Sequence, residues 1–298
     1  MKILITGVYG IVGSELLKEL EENHEILGIG KREKYDSCSH YIQCDLSNAE
    51  ELEKIFSQNR DIEAIVHCAA LAHNKGNDLS YNKFEEVNYG GTVNLVDLSN
   101  KYLNLKKFIF LSTISVYGEE LNKTVYLEDD KCNPKSPYAV TKRMAEEYIQ
   151  ESLKADYSIL RLCPVYTKEF TLNIDRRTKV KNMYYMVSGG KFKLSLCNVK
   201  NIRILTKVLL ENLNVGKCQV YNVSDSKVYT YKDIIDVVAK GTAINVPKIF
   251  LKTLFIANKF IKSQFIHENT IKLMSDNIYS SEKANSLVGL KYRITDVD

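Results

Sequence analysis

Residues 5–17 read ITGVYGIVGSELL. The apolar run Lys2–Thr6 enters a turn with glycines at positions 7, 10 and 13, and Leu16, Leu17 and Leu20 then recur on one face of Val12–Leu20. That is a strand, a glycine turn and a helix start in succession, the local structure that cradles a dinucleotide pyrophosphate at the positive end of a helix. Gly7 permits the tight turn, Gly10 lets backbone approach the phosphates, and Gly13 allows close helix–strand packing. Tyr9, Ile11 and Val12 complete the candidate loop. Three structural glycines in an ordinary turn are the competing reading, since a glycine triplet alone is a weak signal.

Outward from this loop, the apolar runs Glu25–Ile29, Tyr41–Cys44, Ala64–Ala69, Phe108–Ser112 and Ser158–Leu162 are separated by segments of helical length. One of these, Phe84–Tyr102, gathers Val87, Val93, Leu95 and Leu98. Strand–helix alternation predicts βαβ units, hence an α/β fold with a doubly wound parallel sheet. After Leu162 the texture changes, and residues 167–197 are polar and basic. The expected division is a nucleotide-binding core over 1–166, to which 198–225 returns, and a smaller lobe from 167–197 and 226–298. Within the lobe, PKIFLKTLFIANKFIK (247–262) spaces Lys248, Lys252, Lys259 and Lys262 near one side of a helix. Such a helix can lie on an anionic membrane surface. The reading preferred from sequence is a helix packed on the core with solvated lysines.

Composition narrows the function classes. The chain has 298 residues, 45% of them hydrophobic and 26% charged, and a net charge of +4, which argues for a globular protein and against nucleic acid as a partner. The seven cysteines are odd in number, scattered and without a C-x-x-C pair, which argues against a disulfide framework or a zinc site and for the cytoplasm. No signal-peptide layout is visible at the start, and no apolar run reaches the ~18 residues of a membrane span.

SPYAVTKRMAEEYI (136–149) carries Tyr138 and Lys142, four residues apart and therefore on one helix face. A lysine ammonium beside the phenol is expected to favour the phenolate and lower the tyrosine pKa, so that Tyr138 can exchange the proton that balances a hydride transfer. FIFLSTISVYGE (108–119) ends a strand in the hydroxyls Ser112 and Thr113, and IVHCAA (65–70) ends another in small residues that admit a ligand at the sheet's carboxyl edge. Asn88 is placed at the start of a helix packing behind these.

With TGxxGxxG at 6–13, Asp45-Leu46, HCAA at 67–70, VNxxGTxNL at 87–95, the hydroxyl strand at 112–118, PYxxxK at 137–142 and LR…VY at 160–166, the chain resembles the extended short-chain dehydrogenase/reductase family. This is also called the NAD-dependent epimerase/dehydratase family. The resemblance implies a Rossmann-type core binding NAD or NADP and a C-terminal lobe binding a nucleotide-diphosphate sugar. It implies that Tyr138 transfers the proton, that Lys142 holds the nicotinamide ribose, and that Thr113 bonds the reacting sugar oxygen. Asp45, Leu46, Ala69, Ala70, Asn88, Ser112 and Pro164 join the glycine loop in cofactor binding, and Ser115, Arg176, Arg177 and Lys193 join Thr113 and Tyr138 in substrate binding. A homodimer through helices around 84–102 and 138–154 is also implied.

Family dehydratases carry Asp-Glu directly after the threonine; here Ile114 and Ser115 stand there, so 4,6-dehydration is not expected. A 4-ketoreductase and a 4-epimerase remain. The stretches AALAHNKGND (69–78), FEEVNYGGTVNLV (84–96) and FIFLSTISVYGE (108–119) together resemble a bacterial subgroup that makes surface-polysaccharide sugars and contains both 4-ketoreductases and 4-epimerases. Pro164 replaces the asparagine usual in UDP-glucose 4-epimerases. The second strand ends in IGKRE (29–33), with Gly30 where an acid would select NAD, followed by Lys31 and Arg32, which can neutralise a 2′-phosphate. These features favour NADP and reduction of a 4-keto-6-deoxy sugar nucleotide over epimerisation with bound NAD, with Glu33 available to pair with either cation. A non-catalytic NADP-binding regulator is the alternative of another class; the presence of Tyr138, Lys142 and Thr113 speaks against it.

Overall fold

The computed structural model describes residues 1–72, 80–118, 120–121, 123–239 and 242–296. Most of the AALAHNKGND stretch therefore lies outside the described residues. The chain divides into two units, one of Met1–Val116, Ser136–Arg161 and Arg203–Tyr221, the other of Tyr117–Lys135, Leu162–Ile202 and Asn222–Asp298. The division departs from the expected one chiefly at Tyr117–Lys135, which falls with the second unit although it precedes Tyr138 in sequence.

The first unit is built on β1 (Lys2–Thr6), α1 (Ile11–Leu20), β2 (Glu25–Gly30), β3 (His40–Gln43), α2 (Ala49–Gln58), β4 (Ala64–His67), α3 (Tyr81–Phe84), α4 (Gly91–Tyr102), β5 (Lys107–Thr113) and α5 (Pro137–Ser152). The strands Asp156–Leu162 and Gln219–Val223 complete a seven-stranded sheet, ordered Gln219–Val223, Asp156–Leu162, β5, β4, β1, β2, β3. β1 through β5 pair in parallel. Every residue of β4 and β5 is buried, as the continuous apolar runs of a strand covered on both faces require. Leu52, Ile55 and Phe56 of α2, Leu95 and Leu98 of α4 and Ala145 and Ile149 of α5 pack into the cluster that includes Leu4, Ile65, Phe108 and Phe110. Buried Lys107, at the start of β5, donates to the carbonyls of Val215 and Gly216 at 3.1 and 2.8 Å. Burial lowers its pKa.

The helical pattern over 84–102 is realised with an interruption. Glu85–Gly90, between α3 and α4, forms a π-helical turn, a widened turn often found at functional sites. Asn88 sits inside that turn, not at a helix start.

In the second unit, the short strands Ile244–Val246, Met183–Val187 and Lys179–Val180 form a three-stranded sheet. Tyr166, Ile174, Leu194, Leu196, Tyr229, Tyr231, Ile234 and Ile294 form its main core. The buried Asp225 carboxylate lies in this unit and accepts from Asn198 N at 2.6 Å, Asn201 Nδ2 at 2.9 Å and the hydroxyls of Tyr166 and Tyr229 at 2.6 and 2.8 Å. The helix Lys248–Ile261 packs through Leu251, which joins Val187 and Met274, and it also buries Asn258. The expected packing covers only part of its surface. Ile249, Phe250, Ile256, Phe260 and Ile261 are exposed along with Lys252, Lys259 and Lys262, while Lys248 is half-buried with its ammonium 4.6 Å from the centre of the Phe192 ring.

Candidate active site

The glycine loop forms with the spacing its sequence requires. Gly7 has a φ of +62°, and a Cβ there would stand 2.8 Å from the backbone of Ala69. The ends of β1 and β4 thus meet backbone to backbone, which explains why small residues end both strands. At Gly13 a Cβ would lie 2.4 Å from the Gly7 carbonyl, so α1 can start this close to β1 only with glycine there. Gly10 is the N-cap of α1; it offers no side-chain cap, and the first turn has no acidic residue. α2, by contrast, begins with the Asn48 side chain as cap and with Glu50 and Glu51 in its first turn. The first-turn N–H groups of α1 are therefore left to an anionic partner, and the loop fits a dinucleotide pyrophosphate.

Two buried networks hold the reactive residues. In the first, Ala69 N donates to Thr6 Oγ1 at 3.1 Å, and Thr6 Oγ1 lies 2.7 Å from His67 Nδ1. His67 Nε2 lies 3.0 Å from Thr92 Oγ1, which donates to the Asn88 carbonyl at 2.6 Å. A hydroxyl has one proton, so Thr92 accepts from His67, and His67 carries its proton on Nε2 and accepts from Thr6 on Nδ1. Burial holds His67 well below the usual imidazole pKa, with the Lys142 charge adding to it, so the neutral tautomer is the stable one. Asn88 continues the chain. Its Oδ1 accepts from Leu71 N at 2.7 Å, and its Nδ2 donates to Leu71 O at 3.1 Å and Thr141 Oγ1 at 3.3 Å. The strand ends at the glycine loop are thus tied to the helix that bears Tyr138.

The second network lies along α5, which Ser136 caps through Ala139 N and Pro137 opens. Tyr138, Lys142 and Glu146 follow at four-residue intervals. Glu146 is fully buried and accepts from Ser112 Oγ, from Arg161 Nη2 at 2.8 Å and from Arg143 Nη1 at 2.9 Å. Lys142 is buried with its ammonium 3.8 Å from the centre of the Phe110 ring, a cation–π contact. Burial drives the Lys142 pKa down to about 7, against the pull of Glu146 and Cys68.

The Thr113 hydroxyl hydrogen-bonds the Tyr138 phenol and also accepts from Ser115 N at 3.2 Å. Tyr138 as a residue is half-buried, but its phenol is enclosed by protein, and burial pushes it up to about 12 despite the Thr113 bond. This corrects the expectation that Lys142 lowers it. In the chain itself desolvation outweighs any effect of the neighbouring lysine. The Cys68 thiol, pushed up to about 12 by burial, is no nucleophile at neutral pH.

Several sequence-derived site residues have internal duties. The side chains of Asn88 and Ser112 are committed to the two networks, so neither presents a free polar group. Leu46 is a core residue beneath Gly91, while Ala70 is exposed and Tyr9, Ile11, Val12 and Ala69 are half-buried. Asp45 accepts from Lys31 Nζ at 2.6 Å and from Ser47 Oγ at 2.8 Å; burial raises its pKa, but these bonds outweigh burial and leave it lowered. Lys31 is thus neutralised by Asp45, not by Glu33. The Arg32 guanidinium lies 4.3 Å from the centre of the Tyr9 ring. A Cβ on Gly30 would fall 2.3 Å from that same ring, so the missing acid at position 30 has a steric cause. In the second unit, Pro164 gives its carbonyl to Cys197 N at 3.0 Å. Arg177 Nη1 donates to Asn173 O at 2.7 Å within its own helix, and Arg176 and Lys193 are exposed.

His67, Thr6, Thr92, Thr141, Glu146 and Arg161 were not singled out by sequence. Glu146 had a signal, its place four residues after Lys142. Thr6, His67, Thr92 and Arg161 stand inside TGxxGxxG, HCAA, VNxxGTxNL and LR…VY, but their partners are remote in sequence.

The NAD dependent epimerase/dehydratase family model matches residues 3–223. A putative UDP-glucose 4-epimerase of Methanocaldococcus jannaschii is 26% identical over 79% of this chain and 81% of its own length. A dTDP-D-glucose 4,6-dehydratase of Dictyostelium discoideum is 31% identical over 87% of this chain and 61% of its own. Among solved structures, the UDP-glucuronic acid 4-epimerase of Bacillus cereus in complex with NAD superposes with a TM-score of 0.73 at 22% identity, covering 100% of this chain and 93% of that one. The glycine loop, the Thr113–Tyr138–Lys142 constellation and these likenesses together make the chain a member of the NAD-dependent epimerase/dehydratase family, an enzyme of nucleotide-sugar chemistry.

Proposed function

We propose that the protein is a UDP-sugar 4-epimerase working with NAD. The observation that carries this reading is the Thr113–Tyr138–Lys142 constellation with Ile114 and Ser115, and no carboxylate, directly after the threonine. A proton can be taken up and returned there, but no acid–base pair stands after the threonine for eliminating water. The 4-ketoreductase favoured from sequence rested on NADP and on Pro164. The case for NADP is weakened because Lys31 is held by Asp45, and the relatives named 4-epimerase, which span most of the chain, outweigh a single proline.

Bound NAD supplies a hydride acceptor and, when oxidised, a positive charge. Tyr138 Oη holds or releases the proton of the sugar hydroxyl, and the Thr113 hydroxyl orients the same oxygen. Lys142 favours the phenolate while it is an ammonium, a state that Glu146 and the Phe110 ring support. The N-terminus of α1 binds the pyrophosphate. Arg176, Arg177 and Lys193 are retained as candidate contacts for the diphosphate of the sugar nucleotide, and a homodimer through α4 and α5 is part of the same reading.

The test uses purified protein without added cofactor. Interconversion of UDP-glucose with UDP-galactose, or of the corresponding N-acetylhexosamines, is expected, with NAD released on denaturation. Tyr138→Phe is expected to lower turnover about 10²–10⁴-fold. Stoichiometric NADPH consumption with a 4-keto-6-deoxy sugar nucleotide, and no interconversion, would restore the reductase reading.

A further inference from the structure

We propose that the outward face of the helix Lys248–Ile261 docks in the plane of an anionic phospholipid surface. The helix has an inner face fixed by Leu251 and Asn258. At 100° per residue, Ile249, Ile256 and Phe260 fall within an arc of about 40° on the opposite side. Phe260 is 87% exposed and Ile249 66%. Lys252 and Lys259 are exposed and lie beside this stripe, on the flank between it and the packed face.

The arrangement is that of an interfacial helix, with apolar side chains outward and cations along their border, where they reach lipid headgroups while their stems lie on apolar surface. With 14 residues the helix is about 21 Å long, too short to cross a bilayer, and among the described residues no helix is long and apolar enough to do so.

Charge decides the occupant. The sequence contains no acidic residue between Asp236 and Glu268. A second copy meeting this face across a two-fold axis would set lysine against lysine with no compensating carboxylate on the helix. Anionic headgroups compensate the row directly.

The test is flotation of the full chain with vesicles of phosphatidylcholine alone or with phosphatidylglycerol. Binding to the anionic vesicles at low salt is expected, with much weaker binding to the neutral ones. Lys252→Glu with Lys259→Glu is expected to lower partitioning by at least about fivefold per lysine. Ile249→Ser with Ile256→Ser and Phe260→Ser is expected to lower it about tenfold or more while the thermal melt stays unchanged, since these side chains are exposed. Equal binding to both vesicle types, or to neither, overturns the proposal. So does a solution dimer that the triple substitution dissociates in the absence of vesicle binding, which would assign the face to a second copy.

Discussion

Each unit buries a carboxylate, and the two solve the same problem differently. Glu146 is set against the guanidinium of Arg161, with Arg143 and Ser112 completing its shell. Among the described residues Asp225 has no cation among its hydrogen-bond donors; it gathers two tyrosine hydroxyls, an asparagine amide and a backbone N–H. A buried charge pair is costly to break. A charge held only by neutral donors remains poised to take up a proton, and burial raises the Asp225 pKa to about 6 despite its four bonds. The difference follows location. Glu146 lies one helical turn from Lys142, on the helix that carries Tyr138, whereas Asp225 ties together segments of the second unit.

The largest expected effect comes from breaking the paired site. Glu146→Gln removes the buried carboxylate to which the Arg161 guanidinium donates and is expected to cost about 3–5 kcal/mol in urea unfolding. A cost equal to that of a surface substitution would mean that Arg161 finds another partner. Asp225→Asn should cost less, about 1–3 kcal/mol, because its donors lose part of one acceptor while no charge is stranded.

The pH dependence sharpens the contrast. The folded pKa of Asp225 is raised from 3.8 to about 6, so its contribution to stability is fully present below pH 3.8 and is lost as pH rises to about 6. The folded pKa of Lys142 is lowered from 10.5 to about 7, so its penalty grows as pH falls from 10.5 to about 7 and is constant below. Stability measured without added cofactor should carry slopes of opposite sign in these two windows. Asp225→Asn should flatten the lower one and Lys142→Met the upper one; a slope surviving its own substitution belongs to another group.

What sequence disclosed about this molecule was whatever is written in short spacings. The glycine triplet, the Tyr138–Lys142 interval and the apolar strand runs are local patterns, and each turned up as the element its spacing demands. The partners of these residues were not legible. His67 reaches Thr6 and Thr92 across 61 and 25 positions of chain, and Glu146 finds Arg161 on a separate strand. Such pairings are set by sheet order, which no local period encodes. The π-helical turn at Glu85–Gly90 was hidden for a related reason, since one extra residue in a turn scarcely disturbs the apolar period on either side. The helix Lys248–Ile261 packs through Leu251 and Asn258 as expected, but the exposure of its outer apolar side chains was not legible. Its pattern fits a buried helix and an interfacial one alike, and only side-chain exposure separates them.

Tyr9 and Gly30 form a mutational lock. Because the tyrosine ring occupies the space that any side chain at position 30 needs, an acid cannot be introduced there by a single exchange without displacing the ring, and Tyr9 also receives the backbone N–H of Lys31 at 3.2 Å. An acid at position 30 therefore calls for residue 9 to move or shrink as well. Shrinking residue 9 first would also remove the ring against which the Arg32 guanidinium packs.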